Sequence, residues 1–135
     1  GLVVLPAVAP LRADEDVLSC LKTFEEQDCD IVITVTDAGR SPYFNMVQND
    51  DAGYVRLVIP PSETINRRQD APPVYDMATV AYVARPQYVM DSDTLFGGGK
   101  VRSVHIPKER ALDIDSEFDF KLAELLIREQ KSDVL

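Results

Sequence analysis

Two apolar runs on either side of one amphipathic helix constrain this chain more than anything else in it. Leu2 to Leu5 is continuously apolar and is ended by Pro6 and Pro10, the pattern of a buried strand in a sheet covered on both faces. Asp30 to Thr36, DIVITVT, is rich in β-branched residues and is closed by Asp37, Ala38 and Gly39, which predicts a second strand. Between them, from Ala13 to Gln27, Val17, Leu18, Leu21 and Phe24 recur at helical spacing behind Asp14, Glu15 and Asp16, acids favoured at the positive end of a helix dipole. Strand, helix and strand with short links make a right-handed βαβ unit, so the fold class is α/β.

Further elements follow the same logic. Tyr43 to Gln48 and Tyr54 to Ile59 flank a Gly53-containing turn and predict a hairpin. Pro60 to Pro73 is a polar, proline-bounded loop, and Thr79 to Ala84 predicts another strand. Arg85 to Met90 reads as a short helix, Asp91 to Lys100 as a loop with Gly97, Gly98 and Gly99, and Val101 to Ile106 as a strand. Ser116 to Gln130 predicts a closing amphipathic helix whose buried side is Phe120, Leu122, Ala123, Leu125, Leu126 and Ile127.

At 135 residues and 45% hydrophobic, the chain can bury the core of one domain. Its formal charge of −9 excludes the basic face that a nucleic-acid groove or an anionic membrane surface requires. The start, GLVVLPAVAP, has no basic flank and too few apolar residues for a signal peptide or a membrane span. Cys20 and Cys29 lack metal-ligand spacing and His105 is the single histidine, so the cysteines read as buried thiols of a protein in a reducing, cytoplasmic compartment.

Asp113 and Asp115 carry the strongest chemical signal. Two positions apart in an extended segment, their side chains share a face and can offer Mg²⁺ the paired carboxylates it needs when water and phosphates complete its shell. The competing reading is that Asp115 or Ser116 caps the following helix, with Glu117 and Asp119 in its first turn. Arg67 and Arg68, adjacent in a loop of an acidic chain, can fork onto a phosphate or carboxylate, or pair with Asp70. Leu95 to Lys100, LFGGGK, lacks the spacing and the Ser or Thr of a phosphate loop; Leu95 and Phe96 serve either an interface or the core. His105 has no acidic or nucleophilic neighbour at motif spacing, and Ser41 and Ser116 lack a nucleophile-elbow context, so covalent catalysis is disfavoured.

Taken in order, SPYFNMV (Ser41 to Val47), RRQDAP (Arg67 to Pro72), VYDM (Val74 to Met77), LFGGG (Leu95 to Gly99) and DIDSEFDF (Asp113 to Phe120) resemble the second half of the acylneuraminate cytidylyltransferases, and Pro10 to Arg12 falls where that family has a PLR. The resemblance implies a Rossmann-like nucleotidyltransferase sheet, present in part, with a small dimerisation extension over about residues 67–100. It implies Mg²⁺-dependent transfer of CMP from CTP to an acidic nine-carbon sugar, a sialic-acid-like 3-deoxy-ulosonic acid, by a homodimer. Carried onto this sequence, Asp113 and Asp115 hold the metal, Arg67 and Arg68 meet the sugar carboxylate or the phosphates, and Gln69, Tyr82, Leu95 and Phe96 serve the sugar pocket, the last three across the dimer. The family's N-terminal nucleotide-binding half is absent from these residues. Pro6 to Ala9 stand where the family has a Gln and hydroxyl residues, and Ala78 and Thr79 where it commonly has Asn-Gly. The alternative is a non-catalytic dimerisation or regulatory module derived from the same fold.

Overall fold

The structure, a computed structural model, describes residues 1–62 and 67–133, the side chains of Arg68, Ser132 and Asp133 excepted. The chain divides into two compact units, Gly1–Thr36 with Met77–Leu135, and Asp37–Asp76.

The larger unit is built on four strands, β1 (Leu2–Val4), β2 (Ile31–Asp37), β5 (Tyr75–Ala84) and β6 (Val101–His105), in the order β1-β5-β2-β6. Strand β1 runs antiparallel to β5, and β2 runs parallel to β6 with Ile31 opposite Val101. Helix α1 is Asp14–Glu26, α2 is Pro86–Asp91 and α3 is Glu117–Asp133. The sheet is mixed, and the simple βαβ expectation is corrected: β5 lies between the two strands that α1 connects.

Strand β2 reads as a continuous apolar run because both of its faces are buried. Ile31, Ile33 and Val35 join Ala84 in one cluster, with Tyr82, Tyr88, Leu95 and Val101 packed on it, while Val32 joins Cys20, Cys29, Val80, Val83 and Ile106 in the other. In β5 the alternation slips, since the consecutive residues Val80 and Ala81 are both wholly buried in the same cluster. Buried Thr34 fills that break, its hydroxyl donating to the Ala78 carbonyl at 2.7 Å and accepting from the Val80 N–H at 3.2 Å, as at a β-bulge.

Three expectations need correction. Among the described residues strand β1 pairs with β5 alone, and Leu2 is 42% and Val4 45% exposed. In α1, Leu18 is exposed whereas Asp16 and Cys20 are buried. Burial raises the Cys20 thiol to about 11, with the Asp16 charge adding to it, so this cysteine is inert packing. In α3, Ala123 is buried but Phe120 and Leu125 of the expected apolar side are exposed.

The smaller unit holds a hairpin of β3 (Val47–Asn49) and β4 (Val55–Leu57), closed by Gly53 at φ +90°. Tyr43 to Asn45 form a helical turn rather than the predicted strand. Its first carbonyl, that of Ser41, accepts from the N–H groups of Phe44, Asn45 and Met46, and the Ser41 hydroxyl accepts from Tyr43 N–H. Ser41-Pro42 is a helix-start signal, a capping hydroxyl followed by a residue preset to helical φ, and it outweighed the aromatic content of the segment. Residues 67–100, expected as a dimerisation extension, are divided: Arg67 to Asp76 belong to the smaller unit, whereas most of β5, all of α2 and the glycine loop belong to the larger one.

Candidate functional site

The segment from Ile106 to Asp119 carries Asp113 and Asp115 and is tied down along its length. Ile106 N–H donates to the Val35 carbonyl at 2.7 Å, at the end of β2. A 3₁₀ turn over Lys108–Arg110 follows, and the Arg110 guanidinium reaches Asp16 of α1. Ile114 N–H then donates to the Val8 carbonyl at 2.9 Å, just beyond β1. Asp113 and Asp115 bracket that last contact on the approach to α3.

Ser116 caps α3, its hydroxyl accepting from Asp119 N–H at 3.2 Å, while Asp119 accepts from Asp115 N–H at 3.1 Å. The Asp115 carboxylate is thereby left out of the cap. It lies close enough to Asp113 for that charge to raise the Asp115 carboxyl above its ordinary range, with desolvation, a hydrogen bond to Asp113 and the charge of Asp119 adding to the shift. Asp113 is half-buried, and its Oδ1 is a buried oxygen without a hydrogen-bond partner among the described residues. Tyr82 of β5 packs on the Ile31, Ile33, Val35 and Ala84 cluster and lies near enough for the Asp113 charge to act on its hydroxyl. Burial raises its hydroxyl, with the Asp113 charge second, so it stays a protonated donor there.

Two repelling carboxylates, one with an orphaned buried oxygen, are an arrangement that a divalent cation satisfies. Among the described residues there is no group of three or more Asp, Glu, His or Cys able to hold a metal, so two carboxylates are what this segment could offer a cation.

The smaller unit offers a different chemistry. A cavity of about 560 Å³ is lined by Asp37, Arg40, Ser41, Phe44, Gln69 and Tyr75 among others, a cation and an amide set beside two aromatic rings. Of the predicted RRQ run, Gln69 lines this cavity, Arg67 is exposed, and the side chain of Arg68 lies outside the described residues. Arg40 was not singled out from sequence. Its signal was position, since it directly follows the Asp37-Ala38-Gly39 turn at the carboxyl end of β2, where α/β sheets place ligands.

Leu95 and Phe96 part company. Leu95 packs on the β2 core beside Tyr88, whereas Phe96 is 61% exposed. The glycines that follow are structural. Gly97 N–H donates to the Tyr88 hydroxyl at 3.0 Å, Gly98 sits at φ +96°, and Gly99 lies against the Tyr88 ring.

Known proteins agree with the motifs. The post-translational flagellin modification protein B of Campylobacter coli is 36% identical over 130 residues, 96% of this chain and 53% of that protein. The CMP-N,N'-diacetyllegionaminic acid synthase of Campylobacter jejuni is 36% identical over 96 residues, 71% of this chain and 39% of its own length. The chain thus spans about half the length of the curated relatives it matches. Among solved structures, a 4-diphosphocytidyl-2C-methyl-D-erythritol synthase from Anaerococcus prevotii aligns with a TM-score of 0.58 over 93% of this chain and 57% of that one, at 17% identity, which shows a shared fold. No protein-family model matches the chain. On its ordered motifs and these two relatives, the chain belongs to the acylneuraminate cytidylyltransferase family, on the Rossmann-like fold of nucleotidyltransferases.

Proposed function

We propose that the protein to which this chain belongs is a cytidylyltransferase that transfers CMP from CTP to an acidic nine-carbon sugar of the sialic- or legionaminic-acid type. The anomeric hydroxyl oxygen attacks the α-phosphorus, the bond to the β-phosphate breaks, pyrophosphate leaves and the hydroxyl proton is lost. The observation that carries the reading is the Asp113 and Asp115 pair, mutually repelling and including a buried oxygen without a partner.

Asp113 and Asp115 are the residues that would hold Mg²⁺, which when bound neutralises triphosphate oxygens and acidifies an oxygen ligand. This chain's own side chains would add hydrogen-bond donors. Tyr82, whose hydroxyl burial and then the Asp113 charge keep protonated, would be a donor near the pair. Arg40 and Gln69 in the smaller unit, with Arg67 and Arg68 nearby in sequence, supply donors suited to the sugar carboxylate or a phosphate. The family reaction needs no side-chain nucleophile, and the sequence offers none in a nucleophile context.

In the same reading the protein is a homodimer working in the cytoplasm, with exposed Phe96 directed to the neighbouring subunit's sugar. No described helix is long and apolar enough to cross a membrane. The test is pyrophosphate release by the full-length protein with CTP, Mg²⁺ and a panel of ulosonic acids, N,N'-diacetyllegionaminic acid included. Release with one acid and its loss in Asp113→Asn and Asp115→Asn is expected. Full activity in both variants overturns the metal assignment, and a stable dimer that neither binds CTP nor releases pyrophosphate is the non-catalytic module instead.

A further inference from the structure

An ion pair between a buried carboxylate and a partly exposed guanidinium stands immediately upstream of the carboxylate pair. Asp16, at 3% side-chain exposure, occupies the first turn of α1, and Arg110 comes three residues before Asp113. Arg110 Nε donates to both oxygens of Asp16, at 3.2 and 3.1 Å, and its NH2 donates to Oδ1 at 3.0 Å. Asp16 Oδ2 also accepts from Ala13 N–H at 2.9 Å, completing the start of the helix. Glu15 adds a weaker contact at 3.5 Å from the NH1 of Arg110.

Such a pair is a modest source of stability, because desolvating the Asp16 carboxylate offsets part of its attraction to the partly exposed guanidinium. What it does well is fix geometry. A guanidinium fork bound to both carboxylate oxygens admits one orientation. Here it pins the chain at Arg110, while the Ile114 N–H to Val8 carbonyl bond pins it again one residue beyond Asp113. Between these two pins lie Ala111, Leu112 and Asp113, and Ala111 packs on the core. Without the first pin, the restraints on Pro107 to Leu112 among the described residues are its turn hydrogen bonds and that packing.

We propose that Arg110, clamped on Asp16, is a positioning residue for Asp113 and Asp115 as divalent-cation ligands, an inference that rests on the metal reading of the Proposed function. Its effect is on where the carboxylates stand, with no contact to substrate.

The experiment measures Mn²⁺ affinity of the full-length protein in the presence of CTP, by electron paramagnetic resonance titration, beside a melting curve for each variant. Arg110→Met is expected to raise the Mn²⁺ Kd about tenfold, the low end of what outer-sphere partners contribute to metal affinity. Arg110→Lys, which keeps the charge and loses the fork, is expected to recover part of that loss. Val83→Ala, a cavity variant in the buried core of β5, matches the loss of Tm and is expected to leave the Kd unchanged. If Arg110→Met does not fold, Asp16→Asn takes its place, since it weakens the clamp while conserving shape.

A variant that lowers Tm as Val83→Ala does and leaves the Mn²⁺ Kd at the wild-type value overturns the proposal, because the clamp is then structural only. Asp113→Asn separates the two levels. If it too leaves Mn²⁺ binding unchanged, the metal reading fails; if it abolishes binding while Arg110→Met does not alter it, the positioning inference alone fails.

Discussion

Gly99→Ala probes how the LFGGG run is built. A Cβ at Gly99 would lie 2.3 Å from Cε2 and 3.0 Å from Cδ2 of Tyr88, and 2.8 Å from Asp30 Oδ2. Carbon atoms pack at roughly 3.5–4.0 Å, so the ring would have to retreat by more than about 1 Å. It is held against that movement, since its hydroxyl donates to the Leu95 carbonyl at 2.6 Å and accepts from Gly97 N–H. Its ring also packs on Ile31, Ile33 and Val35. Asp30 is held as well, accepting from Lys100 N–H at 2.8 Å. Overpacking costs about 1–3 kcal/mol and loss of one of these hydrogen bonds about 1 kcal/mol, together a loss of about 2–4 kcal/mol. At about 3 °C per kcal/mol for a domain of this size, Tm falls by about 6–12 °C. Gly98→Ala is the internal control: space around Gly98 is open, and the cost is that of φ +96°, about 1 kcal/mol. The assay is urea unfolding of the full-length protein, with Tyr88→Ala in the Gly99→Ala background to relieve the clash. Gly99→Ala within 0.5 kcal/mol of wild type, a bound of about the size of surface effects, or a greater loss in Gly98→Ala, would refute the packing argument.

Two further predictions concern the site. Asp115 has a folded-state carboxyl raised chiefly by Asp113, so between its unfolded and folded values the native state holds more protons than the unfolded one. Metal-free stability therefore declines as pH rises through that window; Asp115→Asn should abolish this part of the decline and be the more stable protein at neutral pH in EDTA, and an unchanged slope of urea midpoint against pH would refute it. Phe96→Ala, at an exposed ring, should weaken dimerisation or raise the sugar KM while leaving CTP affinity near wild type; an intact dimer with an unchanged sugar KM contradicts it.

What was legible in the sequence was whatever local periodicity fixes. Helix α1 and strands β2 and β6 fall within about two residues of where the pattern puts them, because their apolar spacing and turn residues agree. Strand β1, read as buried, is exposed among the described residues, because an apolar run reports composition and not how many neighbours a strand has in its sheet. The early start of β5, at Tyr75 rather than Thr79, lay beyond alternation because the strand slips its phase at Val80 and Ala81. The proximity of Asp113 and Asp115 was legible in their spacing of two, which an extended backbone puts on one face. Arg110 and Asp16 are 94 positions apart, and nothing local in either segment announces the pairing.

Of the two cap candidates that the sequence left open, Asp115 and Ser116, the structure has Ser116 in the cap, and the metal reading of Asp113 and Asp115 stays compatible with it. Those readings compete only if one carboxylate must do both, because a side chain accepting from the first-turn N–H groups has fewer lone pairs left for a cation. Here Ser116 takes the cap and Asp119 takes the Asp115 N–H, so both duties of the helix start are met by residues other than the pair. Asp113 and Asp115 are left facing one another at the positive end of α3, where the dipole eases but does not cancel two negative charges. The raised Asp115 carboxyl is the measure of what remains uncancelled. A dication relieves it, and a proton relieves half of it, which is why loss of metal and fall of pH should act on this segment in opposite senses: removing metal exposes the repulsion, and acid quenches it.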